Sequence, residues 1–140
     1  MPFDGAKLSQ TAILLQRLQT SLRESGRDGW CRGSWYKPGP TQHQFCLLGR
    51  LMFVADCNHY SSVDLSKPDL VAVIRRLANT ADSYFKKNNT TYATHVFSDA
   101  YCAQEKVFLL NDVCGYTAAC ELVDRALEEE VKECLSMVQS

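Results

Sequence analysis

The chain has 140 residues, the size of one ordinary domain, and its 46% hydrophobic and 22% charged content excludes disordered and fibrous classes. No apolar run approaches the ~20 residues of a membrane helix, and "MPFDGAKLSQ" lacks the apolar segment of a secretory leader, so a cytoplasmic setting is expected. A net charge of −1 gives no electrostatic reason to expect nucleic acid or an anionic membrane as partner. Residues 1–60 carry seven Lys/Arg against four Asp/Glu, and residues 61–140 carry eight against twelve, so the two halves are expected to complement each other across one domain.

The first predicted element is a helix with Leu8, Ala12, Leu15, Leu18 and Leu22 at three- and four-residue steps, stopping at Gly26. "GRDGWCRGSWYKPGP" follows, with four glycines, two prolines and three aromatics, a composition that predicts a long loop pinned by ring packing. Thr41 is placed as the cap of a second helix over 42–56, with Phe45, Leu48, Met52 and Phe53 on one face and Gly49 permitting close approach. Ser66 and Asp69 resemble a capping box, Pro68 suits a first turn, and Leu70, Val73, Ile74, Leu77, Ala81, Tyr84 and Phe85 give the clearest helical period, ending at Asn88 and Asn89.

"TTYATHVF" (90–97) reads as a connection, Ser98 starts a shorter helix towards Leu110, and Thr117 caps a last helix with Cys120, Val123, Ala126 or Leu127, Val131 and Cys134 facing the core. Between them "NDVCGYT" reads as a structural turn, with Asn111 and Asp112 bonding nearby backbone, Gly115 reversing the chain and Thr117 capping. The expected fold is thus a single all-α domain, residues 1–140, of about five helices, with the long loop folded over the second.

Chemistry-bearing residues are sparse. Cys31 beside Arg32 could be an activated thiol, and with His43 and Asp112 it sketches a cysteine-dependent enzyme. Three histidines and seven cysteines generate such triples by chance, and no signature surrounds Cys31. Metal ligation by Cys31, His43, Cys46, Cys57 and His59 lacks any C-x-x-C and carries no weight, so no metal or cofactor is expected. The seven cysteines are an odd number in a chain without a disulfide scaffold's look, and are read as reduced thiols. Nucleic-acid binding through Arg17, Arg23, Arg27, Arg32 and Arg50 with Trp30, Trp35 and Tyr36 is disfavoured by the interleaved Glu24 and Asp28.

Three stretches in order, "GWCRGSW" (29–35), "FCLLGRL" (45–51) and "LNDVCGYT" with "ELVDRALEE" (121–129), resemble a family of small bacterial and phage proteins of unknown function. The shared motifs are Trp-Cys-x-Gly (Trp30, Cys31, Gly33), Cys-x-Leu-Gly (Cys46, Leu48, Gly49), Asn-Asp-x-x-Gly-x-Thr (Asn111, Asp112, Gly115, Thr117) and Asp-Arg-Ala (Asp124, Arg125, Ala126). The chain departs at Leu110, where members often carry Trp, and at Cys114, where they carry Pro. The resemblance implies a shared helical fold and a bacterial or phage setting but supplies no reaction. The expected function is a non-enzymatic protein-binding accessory factor engaging a host or bacterial protein through Arg27, Arg32, Trp35 and Tyr36.

Overall fold

Helical periods in the sequence translate into six helices wrapped round one core in the structure, a computed structural model that describes residues 9–60, 62–95 and 101–139. Helix α1 (Gln10–Ser25) opens at Ser9, whose hydroxyl accepts from the Ala12 N–H at 3.0 Å, and stops at Gly26, which takes a positive φ of 63°. Ala12, Leu15, Leu18 and Leu22 are buried as the spacing requires, while Leu8 lies outside the described residues.

The second expected helix is shorter than predicted. Residues Tyr36–Pro38 (β1) and His43–Phe45 (β2) form an antiparallel hairpin in the register Tyr36↔Phe45, and α2 spans Leu47–Val54. Thr41 therefore caps nothing. The cap is Cys46, whose Sγ accepts from the Gly49 N–H at 3.4 Å. The helix cannot start earlier because tertiary partners hold the backbone at its entrance: the Cys46 N–H donates to the Trp35 carbonyl at 3.1 Å. Phe45 is buried from the strand, whereas Phe53 is 44% exposed and leaves the core face expected of it.

Helix α3 (Pro68–Thr80) continues through a π-helical segment, Ala81–Phe85, and a last turn, Lys86–Asn88. Pro68 occupies the first turn as expected, but no capping box forms, because Ser66 turns back to donate both its N–H and its hydroxyl to Asp64. Asn89 then accepts the Tyr92 N–H at 3.0 Å and opens α4 (Thr90–His95), so residues 90–95 are helical rather than a connection. Burial of the whole Tyr92 side chain anchors that turn, outweighing the β-branched composition. Val96, Phe97 and Ser98 lie outside the described residues.

Helix α5 (Ala103–Cys114) and helix α6 (Tyr116–Gln139) are separated by one residue, Gly115, at φ 92°. "NDVC" is thus the last helical turn of α5, not a loop. Gly115 reverses the chain as expected, but its own carbonyl accepts the first α6 bond, from the Ala119 N–H at 3.0 Å. Thr117 is exposed and does not cap; it accepts from Arg27 at 2.8 Å instead. The fully buried residues of α6 are Ala119, Leu122, Val123 and Ala126, while Cys120, Leu127, Val131 and Cys134 are only half-buried, a face rotated slightly from the expected one. All six helices contribute to the central cluster, with α1 against α2, α3 and α6, and α5 across α2, α3 and α6.

Candidate functional site

The centre of the candidate site is Asn111, fully buried on α5 with both ends of its amide engaged. Its Oδ1 accepts from the Trp30 indole N–H at 2.7 Å and from the Leu47 N–H at 3.0 Å. Its Nδ2 donates to the Cys31 carbonyl at 3.1 Å and to Asp112 Oδ1 at 3.0 Å. Four bonds exhaust what an amide side chain offers. One side chain therefore ties the loop, the first turn of α2 and the last turn of α5 together. Asp112 adds a second tie by accepting the Gly33 N–H at 3.0 Å, where Gly33 has φ 77°.

Gly49 completes the junction: a Cβ there would lie 1.9 Å from the Trp35 carbonyl oxygen, so close approach was rightly expected, but of the loop backbone rather than another helix. Arg50, which stands in an otherwise apolar helix, is buried and reaches back to the loop. It donates to the Gly29 carbonyl at 2.8 Å and to Ser21 Oγ at 3.2 Å, while Phe45 and Phe53 lie 4.6 and 5.6 Å from its guanidinium carbon. Burial lowers its pKa, and it serves as a strut rather than a surface cation.

The loop presents two faces outward. On one, Trp30 meets Tyr116 edge-on at 6.2 Å, the Tyr116 hydroxyl donates to the Leu22 carbonyl at 2.6 Å, and Arg32 and Arg27 lie over the Trp30 and Tyr116 rings respectively. The loop was expected to fold over the second helix, but its Trp30 is half-buried against the α5–α6 junction, because Asn111 holds the indole there. Burial pushes the Tyr116 hydroxyl up to about 12.

On the other face Tyr36 (37% exposed) and Phe53 (44% exposed) flank Tyr60 and cover Phe45, with ring centroids 5.1–6.2 Å apart. His43 joins them through a 2.6 Å bond between its Nδ1 and the Tyr36 hydroxyl. A cleft of about 510 Å³ lined by Ser34, Trp35, Tyr36, Asn58, His59 and Tyr60 borders this cluster. Trp35 itself stacks on Phe108 of α5. The four residues expected to form one binding rim thus divide, Arg27 and Arg32 on the first face, Trp35 and Tyr36 on the second. Tyr60 escaped the sequence reading because no period or motif surrounds it, Tyr116 because it is an unspecified position inside its motif, and Phe53 because its helical spacing assigned it to the core.

Cys31 is buried, donates its thiol to the Ser34 carbonyl at 3.3 Å, and has its pKa raised by burial, which outweighs the lowering by Lys37 and Arg50. The adjacent arginine does not activate it. His43 is bonded to Tyr36, and Asp112 to Gly33 and Asn111, so the three residues of the enzyme sketch each have separate hydrogen-bond partners. Cys46 is pushed up to about 12 by burial. All seven cysteines are free thiols, with Cys31 and Cys46 buried and Cys102 exposed.

The geometry defines a small mostly-α domain in which a glycine-rich loop is bolted to two helices by a buried asparagine. The chain belongs to a protein family of unknown function, DUF6197, whose model matches residues 8–129. No curated protein and no solved structure matches it. Among the described residues no helix is long and apolar enough to cross a membrane.

Proposed function

We propose that the chain is a non-enzymatic protein-binding factor whose contact surface is the aromatic face around Tyr36 and the neighbouring Trp35 cleft. The carrying observation is the ring cluster in which exposed Tyr36 and Phe53 both pack on half-buried Tyr60 over Phe45. Isolated exposed apolar residues need no explanation, but contiguous exposed rings mark interaction surfaces, and Tyr and Trp are among the types that most often carry interface energy. The hairpin beneath them is held in place, with the Cys31 N–H donating to the Phe45 carbonyl and the Gln42 and Gln44 side-chain amides donating to the Ser25 and Asp28 carbonyls, so little conformational entropy is left to lose on binding. The bacterial or phage setting, a host protein as partner and a cytoplasmic location rest on the motif resemblance and composition. Pull-down from bacterial lysate with wild type and with the Tyr36→Ala/Phe53→Ala double variant tests the reading. Specific capture by the wild type that the folded double variant loses is expected; equal capture by both would rule this surface out.

A further inference from the structure

We infer that Arg27 and Arg32 form a second docking face, distinct from the aromatic one, for an acidic peptide segment of a partner protein. Each guanidinium is fixed over an aromatic ring, Arg27 at 5.3 Å from the Tyr116 centroid and Arg32 at 5.2 Å from that of Trp30. The two rings touch edge to face, so both charges stand on one aromatic platform. That platform is rigid, because Asn111 holds the Trp30 indole and the Leu22 carbonyl holds the Tyr116 hydroxyl. Arginines positioned in this way lose less freedom when a carboxylate arrives, and their planar forks donate two parallel bonds to it.

The charges are also uncompensated. Arg23 pairs with Asp124, Arg76 with Glu130 and Glu133, and Lys106 with Asp82, yet among the described residues Arg27 and Arg32 pair with no carboxylate. Among the described residues Arg27 donates to Thr117 alone. Asp112, tied to this loop through Gly33, already accepts at Oδ1 from Gly33 and Asn111. Exposed Asp28 adjoins Arg27 in sequence and offsets part of the field, but residues 1–60 still carry seven cations to four acids.

Charge complementarity selects an acidic occupant, and the chemistry of the platform selects a peptide over nucleic acid. The ring faces of Trp30 and Tyr116 that a base would need are covered by the two guanidiniums themselves. In a second copy of the chain the acidic run of α6 is largely spent, since Glu129 pairs with Lys132 and Glu130 and Glu133 pair with Arg76, leaving exposed Glu128.

Fluorescence anisotropy with labelled octaglutamate, against octaglutamine and oligothymidine of the same length, tests the inference on the full chain. Octaglutamate alone is expected to bind at low ionic strength, weakening as salt rises. Arg27→Ala/Arg32→Ala should reduce its affinity by about tenfold or more, with Arg27→Lys/Arg32→Lys retaining part of it. Tyr36→Ala/Phe53→Ala should leave it unchanged, which separates this face from the proposed aromatic surface. Binding of octaglutamine or oligothymidine as tight as octaglutamate, no loss in the arginine double variant, or salt-sensitive self-association displaced by the peptide would each overturn it. Both arginines are exposed, so unchanged circular dichroism of the variants is expected to accompany the loss.

Discussion

Asn111 Oδ1 accepts the Trp30 indole N–H at 2.7 Å although the two residues are 81 positions apart in the chain. The same oxygen accepts the Leu47 N–H, 64 positions away, and so sets the height at which α2 begins. A loop with four glycines would otherwise be among the costliest segments to order. One buried amide replaces that freedom with a fixed joint.

Asn111→Ala should cost about 3 kcal/mol or more, since it strands the Leu47 N–H, the Trp30 N–H and the Cys31 carbonyl in a buried site. Trp30→Phe, which keeps a ring but loses one donor, should cost only about 1 kcal/mol from the bond plus a packing loss. Urea melts of both variants decide it, and a cost for Asn111→Ala below that of Trp30→Phe would contradict the bolt.

Two glycines in the junction should respond differently to the same methyl group. Gly49→Ala meets the Trp35 carbonyl oxygen at 1.9 Å and must displace backbone, a change expected to cost upwards of about 3 kcal/mol. Gly33→Ala meets open space but must hold φ 77°, which should cost about 1 kcal/mol. Thermal unfolding of the pair should rank them in that order.

Thr117→Ala is expected to change stability by less than about 0.5 kcal/mol, because the hydroxyl is an exposed acceptor for Arg27 and not a helix cap. A loss near the ~1 kcal/mol typical of a cap would restore the role that the sequence suggests.

The thiols give a pH signature. Burial raises Cys46 from an ordinary 9.0 to about 12, so folding favours the protonated form, and its contribution is fully present below pH 9. Stability should then fall as pH rises from 9 towards 12, by up to about 1.4 kcal/mol per pH unit for this one group. Cys46→Ser keeps a side-chain acceptor for Gly49 while removing that titration, and its denaturation midpoint should depend less on alkaline pH. In native alkylation, exposed Cys102 should react first and Cys31 and Cys46 last, read by mass spectrometry.

Local signals were legible in the sequence where the physics is local. The leucine spacing of α1, the apolar period of α3 with Pro68 in its first turn, and the breaks at Gly26 and Gly115 all follow from short-range sterics and the 3.6-residue period, and together they imply a mostly-α fold. Cys-x-Leu-Gly and Asn-Asp were visible as special positions, but with local reasons only, a close approach at Gly49 and a turn at Asn111 and Asp112. Tertiary structure supplied the reasons and overruled the neighbours. Phe45 lies in a strand because the hairpin pairs it with Tyr36, residues 90–95 are helical because Tyr92 is buried, and Asn111 sits in a helix because its amide finds four partners, three of them far away in sequence. Hydrogen bonds between residues that distant leave no period to read, so the joint that orders the loop, and the division of its side chains into an aromatic and a cationic face, exist only once the helices have packed.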